Sequence, residues 1–381
     1  MSFFRKALSA VGALVALGAI SVAATVASVE KFCVADTPIP KITSDFAITD
    51  EGYTRQQGDS FLTFPEWYIV HAYNDLAGVT ARASESGFDY LASIRGFWSS
   101  LCGATWQAST SGPATADQKA TNYIIGFSFT LEMLLQGAYE RSIGALSEWT
   151  TGGHKTAEDE FNLALLREYG AFLYQTPWYQ FPFGAKLEQF WRETHFVPSV
   201  RATERRGSLS LQYAGRAGYA ALMRFIAGYD PADLTIESVV GGISPAELRE
   251  FGGVKVIREV EAASGEHGVL VETARYAAFD AFVRELTRHP DAALLEIAGN
   301  HHILITVILP AQDSDASKDA GKDPGKDPGL AASGAVPVFS LAIQSSPGQR
   351  RVGVDTPVRA LVKDVGQIEA AGYKFEHAYD Y

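Results

Sequence analysis

Near Tyr229 the chain changes its hydrophobic period, and that change restricts it to a helical part followed by a part of a different kind. From Phe61 to Tyr229 apolar residues recur at steps of three and four, as in Phe161, Leu165, Tyr169 and Phe172, or Leu211, Ala214, Tyr219, Leu222 and Phe225. All six tryptophans fall here, between Trp67 and Trp191. The period predicts helices over 65–77, 88–102, 121–148, 156–175, 184–193 and 203–228. Their joints carry Gly, Pro, Ser and Thr, for example Ser111-Gly112-Pro113 and Thr151-Gly152-Gly153. Short joints make antiparallel neighbours, so an aromatic-rich all-α bundle is expected. Within it, Tyr123 to Tyr139 reads as a buried core helix, because Glu132 near its centre argues against a span. Leu209 to Tyr229, carrying Arg216 and Arg224, reads as an amphipathic surface helix.

After Tyr229 short β-rich runs alternate with helices. Ser244-Pro245-Ala246-Glu247 has the form of a capping box. Strands are expected over 254–261, 268–273, 294–298, 303–309, 336–343, 351–355 and 373–379, and helices over 276–288 and 358–370. Gly268 to Ala298 and Arg351 to Tyr381 share the run strand, turn, helix, break, strand. Two such units predict a ferredoxin-like domain, one antiparallel sheet with two helices on one face. Ala311 to Ala335 contains the tandem Gly321-Lys322-Asp323-Pro324 and Gly325-Lys326-Asp327-Pro328 and has no aromatic residue, so it reads as a disordered loop. The expected class is therefore α+β: an anchor or signal over 1–32, an extended connector over 33–60, the helical domain over 61–230 and the ferredoxin-like domain over 231–381.

The anchor rests on Ala7 to Ser28, which holds no charged residue and follows Arg5 and Lys6. In helical form it spans roughly 33 Å, enough to cross a hydrocarbon core. Small residues such as Val22-Ala23-Ala24 also fit a signal-cleavage site, so a retained transmembrane helix and a cleaved signal both remain open. Either way the bulk of the chain is expected outside the cytoplasm, on the periplasmic side of a bacterial inner membrane, with residues 7–28 as the membrane contact. There Cys33 and Cys102 have two readings, a disulfide or two buried thiols.

Composition excludes other classes. With 32 Lys and Arg against 44 Asp and Glu the chain carries a formal charge of -12, and no basic stripe marks a nucleic-acid partner. Two cysteines cannot build a zinc ribbon. The chain has no phosphate-binding loop, His-Glu-x-x-His, Gly-x-Ser-x-Gly or Cys-x-x-Cys, so no cofactor or metal is expected.

Three constellations remain as candidate sites. Glu66 follows Pro65 in a first helical turn, where a carboxylate favours the helix dipole. Its functional reading has it meet Glu132 and Arg95 or Arg167, a carboxylate–arginine cluster fit for anion binding or acid-base work. Thr176 to Lys186 packs two prolines among four aromatics, and three roles stay open: lining a ligand pocket, pressing on a membrane, or covering the bundle core. Trp178, Tyr179, Arg192 and His195 are its ligand-binding candidates. His301 and His302 open a strand and face opposite sides, so they do not form one metal site.

The strings Thr63-Phe64-Pro65-Glu66-Trp67-Tyr68-Ile69-Val70 and Thr176 to Lys186, with the closing His377-Ala378-Tyr379-Asp380-Tyr381, resemble an uncharacterised bacterial family of membrane-anchored proteins. The resemblance implies an anchored chain and no activity, cofactor or catalytic residue. The expected role is binding, sensing or scaffolding, with self-association through the C-terminal sheet. The alternative is an enzyme whose site joins Glu66, Arg95, Glu132 and the 176–186 loop.

Overall fold

The computed structural model describes residues 22–36, 44–46, 55–112, 115–226, 234–311 and 335–381. Up to Ile226 these are helical: α1 (residues 22–32), α2 (Gln57–Leu62), α3 (Phe64–Arg82), α4 (Tyr90–Ser109), α5 (Ala116–Tyr139), α6 (Ala145–Trp149), α7 (Ala157–Leu173), α8 (Phe183–Glu193) and α9 (Val200–Ile226). A single π-helical turn, Glu140–Gly144, joins α5 to α6. Local chemistry fixes several starts. Asp89 accepts from the Ala92 amide at 2.9 Å at the head of α4, and capping boxes at Thr115/Gln118 and Thr156/Asp159 open α5 and α7.

The bundle core is aromatic. Tyr68 meets Phe97 edge to face at 5.5 Å, Phe97 meets Phe129 at 5.5 Å, and Tyr169 touches both Phe181 and Phe183. Helix α5 reaches this core through small residues. A Cβ on Gly126 would stand 2.6 Å from the Phe97 ring and one on Gly137 would stand 2.8 Å from Tyr90, so these glycines let α5 lie close on α4. Its larger side chains Ile124, Leu131, Leu134 and Leu135 point outward and are exposed. The expectation of a buried core helix over Tyr123 to Tyr139 is thereby corrected.

After α9 come β1 (Thr235–Gly241), α10 (Pro245–Leu248), β2 (Val254–Glu261), β3 (His267–Ala274), α11 (Ala277–Leu286), β4 (Ala293–Ile297), β5 (His302–Pro310), β6 (Val336–Ala342), β7 (Gln349–Pro357), α12 (Val358–Ala370) and β8 (Lys374–Tyr379). They form two four-stranded antiparallel sheets, ordered β2-β3-β1-β4 and β6-β7-β5-β8. Each is a complete β-β-β-α-β unit, and the two share their irregularities. In each, one extra residue bulges from the strand after the helix, Leu295 in β4 and Glu376 in β8. A second bulge falls at Ile257 in β2 and at Val338 in β6. Matching bulges at matching registers identify a structural repeat.

A single ferredoxin-like sheet with helices on one face is therefore overturned. Each helix returns the chain beside the first strand of its own unit, so β4 pairs with β1 and β8 with β5, and each sheet is built wholly from its own unit. Helix α12 lies against β4 as well as β5, β7 and β8, and α11 against β3 and β8, so the helices sit between the sheets. One apolar core holds Val240, Val271 and Leu294 from the first sheet, Phe282 and Leu361 from the helices, and Ile305 and Val354 from the second. The other face of the second sheet packs on the bundle, where Phe64 meets Phe339 at 4.1 Å and Tyr379 at 5.4 Å. Burial on both faces explains why β5 is apolar throughout Ile303-Leu304-Ile305-Thr306-Val307-Ile308-Leu309 except at Thr306, whose hydroxyl meets Tyr379.

The N-terminal expectations also change. No helix among the described residues is long and apolar enough to cross a membrane, and the membrane-spanning helix is withdrawn on that finding. Residues 7–21 of the uncharged segment lie outside the described residues. The described end, α1, is docked on the bundle: Val29 and Cys33 are buried, and Glu30 meets Lys119 Nζ at 2.6 Å and Tyr123 Oη at 2.8 Å. Cys33 and Cys102 form a disulfide with Cα atoms 5.0 Å apart. The connector expected over 33–60 is not wholly extended, because α2 falls inside it. There the Ser60 hydroxyl donates to the Tyr379 carbonyl at 2.6 Å and accepts from the Leu304 amide at 2.9 Å. The loop expected over 311–335 lies outside the described residues except at its ends.

Candidate functional site

The residues singled out from the sequence do not converge. Glu132 is engaged by Arg216 Nη2 at 2.7 Å and accepts from the Tyr73 hydroxyl at 2.6 Å. Glu66 sits seven residues before Tyr73 on α3, about 10 Å along the axis. It is exposed at the head of the helix. Arg95 and Arg167 are exposed on α4 and α7, and neither joins a carboxylate pair of the kind expected. The 176–186 segment covers the core: Phe181 and Phe183 are buried, Trp178 stacks on Tyr219 with ring centroids 5.0 Å apart, and Arg224 Nε donates to the Tyr179 carbonyl at 2.7 Å. Arg192 and His195 are exposed, Arg192 lying 3.5 Å from its neighbour Glu193. His301 and His302 join separate carboxylates, Asp45 at 3.3 Å and Asp355 at 2.9 Å.

Two polar assemblies that sequence reading missed carry the interior electrostatics. The first joins the bundle to the second sheet. Glu376, thrown out by the β8 bulge, receives Arg351 through Nε and Nη2, the latter at 2.7 Å, and lies 3.8 Å from His71 Nδ1. His71 Nε2 and Tyr379 Oη are 3.2 Å apart, and Tyr379 reaches Thr306 at 3.1 Å. Burial and the Arg351 charge push the His71 imidazole down to about 3, Glu376 opposing. Burial raises the Glu376 carboxyl, but His71 and Arg351 outweigh it and hold it down to about 2. Since His71 is neutral above about 3, Arg351 is the charge that keeps Glu376 ionised near neutrality. Next in the strand, His377 Nδ1 meets Asp280 at 2.6 Å while its ring lies 3.7 Å from that of Trp67.

The second assembly lies under α9. Arg205 is completely buried and pairs with Glu85, with Glu140 at 2.9 Å and with Asp159 at 3.0 Å. Arg201 holds Asp159 at 2.8 Å and Glu204 at 3.1 Å and donates to the Gly144 carbonyl of the π turn at 3.1 Å. Arg206 reaches Glu158 at 3.0 Å. Burial and the nearby Glu85 push the Glu140 carboxyl up to about 7 against the pull of Arg205 and Arg201.

These pairs turn α5 and α9 inside out. Arg201, Arg205, Arg206 and Arg216 of α9 are spent on partners within the fold, and Glu132 of α5, its side chain 39% exposed, is held by Arg216. Every exposed residue from Ala120 to Ala138 on α5 and from Thr203 to Leu222 on α9 is uncharged. Helices bathed in water normally show the reverse pattern. The amphipathic surface helix expected over Leu209 to Tyr229 is thus corrected in its direction: Leu211 and Leu222 face out and Arg216 faces in.

Chemically, the two assemblies bind arginines to carboxylates inside the fold and leave no acid-base pair open to a substrate. Among the described residues no group of three or more His, Cys, Asp or Glu side chains is placed to hold a metal ion. No protein-family model, no curated protein and no solved structure matches the chain.

Proposed function

We propose that this protein is a non-catalytic binding module of an oxidising, extracytoplasmic compartment, and that it engages its partner through the outward faces of α5 and α9. One observation carries the reading: between Ala120 and Ala138 on α5 and between Thr203 and Leu222 on α9 the charged residues are paired with partners in the fold, so that over about 27 Å only Glu132, held by Arg216, reaches water with much of its side chain. Apolar patches of that extent on soluble proteins mark interaction sites. The Cys33–Cys102 disulfide supports the compartment, since such bonds persist where thiols are not kept reduced. An enzymatic reading needs Glu66, Arg95 and Glu132 to meet, and Glu132 is instead held by Arg216 and Tyr73.

The reading is tested by placing a photo-reactive residue at Leu135 on α5 or at Glu188 on the charged face of α8 in the full chain, expressed in its native cell. Cross-linked product, to protein or lipid, is expected about tenfold more often from position 135 than from 188. Equal yields from the two positions would contradict the reading.

A further inference from the structure

Three glycines on α9 have no explanation inside the chain. Gly207, Gly215 and Gly218 are helical and exposed, and a Cβ built on any of them meets nothing within 4 Å. A helix in water is weakened about fivefold in its equilibrium by each glycine that replaces alanine, and no packing within the fold compensates for it here. Glycines at helix surfaces let another helix backbone come close. Beside them α5 carries the complementary relief, with Ile124 64%, Leu131 60% and Leu135 64% exposed. Long side chains bridge the two helices, Arg216 to Glu132 at 2.7 Å and Tyr139 to Glu204 at 2.5 Å.

Knobs on one helix and hollows on the next make the face complementary to itself, the requirement for a twofold interface. We infer that the occupant of the α5–α9 face is a second copy of this chain, each copy setting its α5 leucines into the glycine hollows of the partner's α9 to form a four-helix seam. The face is about 27 Å long and roughly 20 Å, two helix diameters, wide. Its projected area of roughly 540 Å² per copy, about 1,080 Å² over both copies, clears the ~1,000 Å² total that a specific interface needs, at the small end of the range. A bilayer is the poorer occupant, because glycines offer no apolar surface to acyl chains. Of the four sheet edges, β2 presents Lys255, Arg258, Glu259 and Glu261, charges that guard that edge against pairing.

The inference rests on the binding reading above and fails separately from it. Sedimentation equilibrium of the purified full chain is expected to give twice 41.1 kDa. Gly215→Leu and Gly218→Leu fill hollows that are open in the single chain, so both variants fold, and each is expected to weaken the dimer at least ~30-fold with an unchanged or raised melting temperature. Mixing Leu131→Cys chains with Ala214→Cys chains and a short bis-maleimide is expected to yield the mixed cross-linked pair. A monomer at about 0.1 mM, or a dimer indifferent to both leucine variants, overturns the inference. A monomer that floats with phosphatidylcholine vesicles also overturns it and assigns the face to lipid, leaving the binding reading intact.

Discussion

Replacing Arg205 by methionine is expected to lower the unfolding free energy by about 3–5 kcal/mol, read as a shift of the urea midpoint at unchanged slope. The guanidinium is fully buried and holds Glu85, Glu140 and Asp159 together. Its removal leaves carboxylates in a medium that solvates them poorly, with only Arg201 still against Asp159. A loss below about 1 kcal/mol would mean that water enters the cluster and that the pairs do not set the direction of α9. Glu140→Gln separates charge from packing. The folded carboxyl titrates near 7 and the unfolded one near the ordinary value of 4.5. The folded state therefore holds the extra proton between those limits, and the native protein loses stability as pH rises from about 4.5 to about 7. The glutamine variant is expected to lose this slope and to match or exceed the native protein at pH 8. A steeper slope in the variant would reverse the assignment.

Removing the disulfide, as Cys33→Ala with Cys102→Ala, is expected to cost about 4 kcal/mol on the loop-entropy account, because the bond closes a sequence separation of 69 residues. Its noncovalent support among the described residues includes buried Val29 and the Tyr123 hydroxyl, which donates to Glu30 at 2.8 Å. The Lys119–Glu30 pair is about a third exposed on both sides and contributes little in water. The Ala35 amide bond to Ser109 Oγ, at 2.8 Å, adds one local contact. Thiol reduction is accordingly expected to release residues 29–35 to rapid hydrogen exchange while the sheets stay protected. Exchange that spreads evenly through the bundle would show instead that α1 is integral to its core. An unchanged denaturation midpoint would remove the bond from the stability of the fold.

Helix and strand positions were legible because periodicity and capping act locally. The strand expected over 254–261 and the helix over 358–370 coincide with β2 and α12. The β1 run Thr235-Ile236-Glu237-Ser238-Val239-Val240-Gly241 is not among the expected strands, and it is the one that joins β3 to β4 in the first sheet, so without it seven strands read as one layer. Pairing between units is a tertiary fact that strand order alone does not encode. The direction of α5 and α9 was misread for a related reason. Sequence assigns large apolar residues inward, but Gly126 and Gly137 bring α5 against Phe97 and Tyr90 and turn its leucines out. The arginines of α9 point inward because carboxylates 42 to 120 positions away in sequence await them. Glu66, Arg95 and Glu132 looked like one site because charge in an apolar helix signals burial without naming the partner. Glu376 owes its meeting with Arg351 and His71 to a bulge that no residue-type pattern announces.

The central claim is that the α5–α9 face is covered in the working protein, and maleimide labelling of single cysteines measures this directly. Leu135→Cys and Glu188→Cys are labelled in the native cell extract and again in the isolated chain at high dilution. Leu135 and Glu188 are both exposed in the single chain, so equal rates are expected at dilution. In the native setting, position 135 is expected to react about tenfold more slowly while position 188 is unchanged. Equal labelling of both positions in both settings would contradict the account.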